Sequence, residues 1–311
     1  MGDPFVSCGS VNPSMDDVKI TFFMIVTDPD VVIADYAVNS YAKIQGIRFT
    51  LRVYSNWVSS SLKRRYFPRW RKFSFVEIVE PEWHTEENKP TDRRLEGPFE
   101  RCDTIWDREL KKIDTPYYAT VDADFEILDA KFVPVMLARL DSDPNLVAMS
   151  TDYTPTVTDH YDSYSNEVIC LNERWHTWFC IYKRAALQCE VPHAYQEEIR
   201  DGAVRRTAWD TTGYFQKALK EDYGFELAVL DPKYQSCFIH YGAFSKNRNI
   251  NEWNVGLYRR LQILRRRGLF GHDNGLVGKV DHWMKKSGNF LNRLCFGHID
   301  RSKYWPGWGQ G

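Results

Sequence analysis

Tyr117–Glu126 reads YYATVDADFE. An apolar run that stops at two aspartates one residue apart is a buried strand leaving its sheet. The backbone turns there, so Asp122 and Asp124 can face one point even though strict strand geometry would send them to opposite sides. Two hard oxygen donors suit Mg2+ or Mn2+, ions that commonly bridge a protein carboxylate to substrate phosphates. Aspartate at a strand end also caps turns with no ligand involved, so the weight of the pair depends on its surroundings.

Those surroundings repeat. Lys19–Thr27 is β-branched and aromatic and ends at Asp28-Pro29-Asp30, a strand running into a loop, and 30–44 places Val31, Ala34, Val38, Tyr41 and Ala42 at helical spacing behind Asp30 as N-cap. Ile47–Tyr54 is a second strand, Ser59–Tyr66 a short helix, and Phe73–Glu80 alternates as a third strand. The polar, proline-bearing Trp83–Pro98 reads as an excursion, Phe99–Ile113 is helical by pattern, and Tyr117–Asp122 is the fourth strand. Alternating strands and helices imply a doubly wound α/β sheet that takes ligands at the carboxyl ends of its strands. The aspartate pair stands at such an end.

With 311 residues and 43% hydrophobic against 27% charged, the chain can bury a sizeable core without staples. Its longest apolar run, Ile20–Val26, is too short to span a bilayer. Seven cysteines without a C-x-x-C pair read as thiols in a reducing compartment, and MGDPFVSCGS does not read as a secretory signal, so the expected location is cytoplasmic. The net charge of −1 conceals a basic tail: 241–311 hold 13 Lys+Arg against 4 Asp+Glu. No G-x-G-x-x-G follows the first strand, and G-x-x-x-x-G-K-[ST], G-x-S-x-G and H-E-x-x-H are all missing. Any phosphates must therefore be held by a metal ion and side chains.

This order of features resembles the nucleotide-sugar glycosyltransferases of the GT-A fold, most closely the family 2 type. The resemblance rests on the first strand ending in Thr27-Asp28, the helix carrying Arg101 and Asp103, and the D-x-D strand end, and it spans roughly 19–240. It implies a Rossmann-like, mixed but mainly parallel sheet with helices on both faces. Asp124, helped by Asp122, would hold Mn2+ or Mg2+ on the donor diphosphate, Thr27 and Asp28 would lie beside the base and ribose, and Arg101 would contact the donor. The alternative for Arg101 is an exposed helix cation.

Farther along, Leu146–Ser150 is a fifth strand, Asp152–Asn166 a long loop, and Trp175–Tyr182 a strand dense in aromatics. Sugar rings present apolar faces with hydroxyl rims, so one of Trp175, Trp178 and Trp209 is expected at an acceptor subsite while the other tryptophans fill the core. Asp210 precedes the helix-like Tyr214–Leu219, where the resembled family carries its general base, although Trp209 stands where that family has a further acid. The chemistry needs a carboxylate there to take the proton of an attacking hydroxyl, and the competing role is a helix N-cap. Glu197, Glu198 and Asp201 are fallback bases. Phe225–Leu230 and Tyr234–Ile239 read as strands, the second delivering His240, which the resemblance makes a third metal ligand and the pattern alone makes a structural histidine. Lys246 and Arg248 follow as anion donors, Lys246 being the first choice for the diphosphate. Trp253–Arg267 is a basic amphipathic helix that either packs on the body or touches an anionic membrane.

The resulting expectation is an N-terminal extension (1–18), a catalytic domain (19–250, with a nucleotide-sugar half 19–126 and an acceptor half 127–250) and a basic helical extension (251–311). Its activity would be metal-dependent transfer of a sugar from a UDP- or GDP-sugar to a hydroxyl of a glycan or glycoconjugate, with inversion and with no nucleic-acid partner. Rivals are a sugar-phosphate nucleotidyltransferase, disfavoured because Thr27–Asp30 is neither glycine-rich nor basic, and a non-catalytic glycan- or RNA-binding module.

Overall fold

A computed structural model describes residues 18–88, 100–155, 159–162, 167–171, 173–200 and 205–241, together with Val255, Gly256, Arg259, Arg260 and Ile263. β1 (Ile20–Val26), α1 (Val31–Ser40), β2 (Phe49–Ser55), α2 (Ser60–Trp70), β3 (Val76–Val79), α3 (Cys102–Glu109) and β4 (Tyr117–Asp122) follow in the alternation that the sequence predicts. Then come β5 (Phe125–Ile127), α4 (Phe132–Ser142), β6 (Leu146–Ser150), β7 (Tyr153–Thr154), β8 (Asp159–Asp162), β9 (Glu167–Leu171), β10 (Arg174–Trp175) and β11 (Phe179–Lys183). The last described strands and helix are β12 (Gln196–Arg200), β13 (Arg205–Trp209), α5 (Gly213–Glu221), β14 (Glu226–Val229) and β15 (Phe238–His240).

Seven strands form one sheet in the order β14-β6-β11-β4-β1-β2-β3, parallel except for β11, which runs antiparallel to both β4 and β6. Side chains alternate across it. Phe22 and Met24 of β1 and Ala119 and Val121 of β4 join Ala34, Val38, Phe67, Trp70, Phe132 and Leu137 from α1, α2 and α4. Phe23 and Tyr118 point the other way, to Ile105 and Trp106 of α3 and Phe215 and Leu219 of α5. A mixed α/β sheet with helices on both faces is the result, and a period of two on strands buried from both sides explains why their sequences look continuously apolar. Each fully buried ring here is worth about 1.5–3 kcal/mol of transfer free energy.

The register positions the site. Ile25 lies opposite Asp122 across the parallel β1–β4 ladder, so the loop after β1 and the D-x-D turn emerge side by side. Immediately beyond the turn, β5 pairs antiparallel with β15, with Phe125 opposite His240.

Several local expectations are corrected. Tyr234–Ile239 is not one strand: Pro232–Cys237 is a 3-10 turn, started by Pro232 at its first position and by the Asp231 carboxylate accepting the Lys233 N–H at 2.9 Å, and only Phe238–His240 is extended. Trp175–Tyr182 is broken between β10 and β11 by a turn at Thr177 and Trp178. Inside the supposed loop Asp152–Asn166 lie β7 and β8, and β8 belongs to a small sheet ordered β12-β13-β9-β8 that has no clear apolar alternation in its sequence. α2 runs on through Pro68 to Trp70 because Tyr66, Phe67 and Trp70 all bury against the body, which outweighs the lost helix hydrogen bond. Asp30 stands at the N-cap of α1 but does not cap it with its side chain.

Candidate metal and donor site

His240, Asp122 and Asp124 converge. Their ligand atoms all lie within 4.8 Å of one another, with the imidazole Nε2 3.4 Å from Asp122 Oδ2 and 3.3 Å from Asp124 Oδ1. Two backbone bonds fix the corner: the Asp122 N–H donates to the Trp178 carbonyl and the Tyr241 N–H to the Asp124 carbonyl, both at 3.0 Å. Trp178 packs on the His240 ring at 4.2 Å between centroids, and His176 stacks on the same indole at 3.7 Å. Burial works against a charged His240, but hydrogen bonds and charge from Asp122 and Asp124 raise it to about 10. Two carboxylates and an imidazole that close on one point are a donor set fit for a small divalent cation, and imidazole favours Mn2+ over Mg2+.

The loop after β1 borders this corner. Asp30 is buried and turns back to accept hydrogen bonds from the Thr27 N–H and hydroxyl at 3.2 and 2.5 Å. Burial pushes its carboxyl up to about 7; the charges of Asp124 and Asp122 add to the rise, and the Thr27 hydrogen bonds oppose it. Asp30 is thus a third acid beside the pair. Asp28 is exposed and accepts the Ser59 N–H at 2.6 Å, tying the loop to the start of α2. Asn56, at the end of β2, exchanges bonds of 2.8 and 2.9 Å with the backbone of Glu100. This places Glu100, just before α3, at the same end of the sheet.

Arg101 projects there, exposed, and grips the buried Asp103 with Nε and Nη2 at 3.1 and 2.5 Å. Burial opposes the Asp103 charge, yet Arg101 and the N–H groups of Tyr195 and Thr104 hold its carboxyl below the usual range. Cys102 keeps open surface, but its sulfur is crowded enough to push the thiol up to about 12. The charges of Asp103 and Asp122 add to that rise, and a hydrogen bond to Thr211 opposes it. The start of α3 is therefore close to both Asp122 and the turn at Thr211.

Asp210 does not stand at the N-cap of α5; Thr212 does, without a capping bond from its side chain and with the left-handed φ of 64° that a β-branched residue rarely adopts. The strained turn leaves the Asp210 carboxylate half exposed, accepting the Thr211 N–H at 2.7 Å and paired with Arg174, a partner that the sequence did not point to. His176, in whose surroundings burial leads and Arg174, His240 and Asp210 all exert charge, is held down to about 3 and stays neutral. It is close to both His240 and Asp210. Glu197 pairs with Arg206 and Glu198 with Lys217, while Asp201, Lys246 and Arg248 lie outside the described residues.

Of the three tryptophans singled out, Trp209 is 1% exposed and Trp175 7%, both core residues, whereas Trp178 keeps accessible surface beside His240. Glu126, two residues past Asp124, is 1% exposed and ionically matched to Arg259 of the C-terminal helical segment, with Nη2 at 2.6 Å. A carboxylate so buried would otherwise cost several kcal/mol. Among the described residues no helix is long and apolar enough to cross a membrane.

No protein-family model and no curated protein sequence matches the chain. Solved structures similar to it include the mannosyltransferase PcManGT from Pyrobaculum calidifontis, determined with GDP-Man and Mn2+, at 14% identity and a TM-score of 0.44 over 69% of this chain and 55% of that one. S. aureus TarS 1–349 with UDP-GlcNAc is similar at 14% identity and a TM-score of 0.44 over 92% and 75% of the two chains. Glucosyl-3-phosphoglycerate synthase from Mycobacterium tuberculosis is similar at 10% identity and a TM-score of 0.41 over 83% and 86%. The chain thus spans just over half the length of the mannosyltransferase.

Proposed function

We propose that the protein is a GT-A-type, metal-dependent glycosyltransferase that moves a sugar from a UDP- or GDP-sugar to a hydroxyl of a glycan or glycoconjugate, with inversion. The observation that carries this reading is the convergence of Asp122, Asp124 and His240 at the carboxyl end of β4, beside a β1 loop that offers acids and no glycine-rich phosphate cradle. Those three side chains would hold Mn2+ or Mg2+, which when bound supplies charge neutralisation to a departing nucleoside diphosphate. Thr27 and Asp28 lie where the donor nucleoside would rest, with Arg101 and Lys246 as its anion contacts. Asp210 takes the acceptor proton, and Trp178, which keeps accessible surface although its indole packs against His240 and His176, borders the sugar. Residues 19–126 form the donor half and 127–250 the acceptor half of the catalytic domain, with 1–18 and 251–311 as extensions. Cytoplasmic placement with peripheral membrane contact belongs to the same reading. Such contact draws on Arg260 and the cations beyond it, since Arg259 turns inward.

A thermal-shift panel of UDP, GDP and their sugar conjugates, with and without MnCl2, tests this. One nucleotide series should stabilise the protein only when Mn2+ is present, by about 2.7 kcal/mol at a hundredfold excess over Kd. Release of pyrophosphate from a nucleoside triphosphate and a sugar phosphate would instead identify a nucleotidyltransferase. Metal-independent binding of oligosaccharide or RNA alone would identify a binding module.

A further inference from the structure

We propose that Arg259 is a positioning residue for the Asp122–Asp124–His240 corner, acting through Glu126 so that the C-terminal helical segment sets the geometry of a cation site it does not touch. The inference rests on the metal-site reading above.

β5 and β15 form a two-stranded sheet of their own, three residues in each strand, and such a ribbon is marginal without outside support. It carries the corner: β5 begins directly after Asp124 and β15 ends in His240. Its inner side is held by Phe125 and Phe238, whose rings stack at 4.9 Å in the main core. Its other side rests on Glu126. The Arg259 Nε reaches both carboxylate oxygens of Glu126 at 2.9 and 2.8 Å and Nη2 reaches Oε1 at 2.6 Å, while the Tyr241 hydroxyl donates to Oε2 at 2.5 Å. Tyr241 in turn donates its N–H to the Asp124 carbonyl. Contacts therefore run without a gap from Arg259 through Glu126 and Tyr241 to the backbone of a metal-binding residue.

The helical segment is itself seated. Val255 is fully buried with Ile33, Ile239 and Tyr241, and the Arg259 guanidinium lies over Tyr36 of α1 at 5.2 Å. With the guanidinium gone, the buried Glu126 carboxylate keeps, among the described residues, the Tyr241 hydroxyl as donor and, at longer range, the Lys43 ammonium that bonds the Ile127 carbonyl, too little to hold it in place. The carboxylate would turn toward water and pull β5 from β15, moving Asp124 and His240 apart. Groups that orient ligands from outside the coordination shell typically change metal affinity about 10–100-fold when removed.

The test titrates MnCl2 into the full chain and reads free Mn2+ by electron paramagnetic resonance, at a temperature where circular dichroism shows each variant folded. Arg259→Met, which keeps an unbranched stem but removes the guanidinium, should raise the Mn2+ Kd about 10–100-fold. Arg259→Lys should fall between it and the parent. Should Arg259→Met fail to fold, Arg259→Lys and Glu126→Gln carry the comparison, each expected to weaken Mn2+ binding by at least severalfold. Variants that unfold at lower urea yet keep the parent Kd overturn the positioning role and leave only a stabilising ion pair. A parent that binds no Mn2+, indistinguishable from Asp124→Ala, overturns the functional reading and the clamp together.

Discussion

Asp124→Ala is expected to abolish measurable Mn2+ binding and to cut sugar transfer by about 1,000-fold, the equivalent of ~4 kcal/mol of transition-state stabilisation. Asp124 is nearly buried, 3.3 Å from the His240 nitrogen, and its replacement leaves one half-exposed carboxylate and an imidazole, too few donors to dehydrate a divalent ion. Stability should change little. The substitution takes a hydrogen-bond partner from His240 but also takes a like charge from beside the buried Asp30. The same geometry sets a pH dependence. Without a cation the corner keeps His240 protonated up to about 10, so binding near neutral pH must expel a proton, and Mn2+ affinity should rise with pH over the range below that value. Calorimetry in buffers of different ionisation enthalpy counts the released proton. Mn2+-stimulated transfer that survives in Asp124→Ala would place the ion elsewhere.

Much of this corner was legible because it is written in short-range pattern. The apolar run of β4 ends at Asp122, the β1 run ends at Thr27, and parallel alternation puts both ends on one edge. His240 could be placed beside them only through a resemblance, since nothing local brings residue 240 to residue 124; the three-residue ladder between β5 and β15 does so. Acids that serve the site from behind escaped for a related reason. Asp30 has the sequence of a helix cap, and only its tertiary surroundings turn it inward, while Glu126 looks like the polar half of an alternating strand until Arg259, 133 residues away, buries it. The small sheet of β8, β9, β12 and β13 was missed because charged residues such as Glu197, Glu198 and Arg206 break the alternation that marks a strand.

Asp210→Asn separates a catalytic base from a structural acid. The change keeps the size of the side chain and can still accept the Thr211 N–H and an Arg174 hydrogen bond, so the turn at Thr212 should persist and Mn2+ and nucleotide binding should match the parent. What is lost is the capacity to take a proton as the acceptor hydroxyl attacks, which is worth about 10²–10⁴ in rate. The loss should therefore fall on kcat. Arg174 makes the comparison sharper, because a carboxylate serving only as its anchor would be missed through that arginine instead. In that case Arg174→Met and Asp210→Asn would share one phenotype, a raised acceptor KM or lowered stability with kcat held. If Asp210 is the base, Asp210→Asn alone should lower kcat, whereas Arg174→Met, which leaves the carboxylate in place, should keep most of it. A parent-like kcat in Asp210→Asn would hand the proton to another group, and Glu198, 3.5 Å from Lys217, is the next carboxylate to replace.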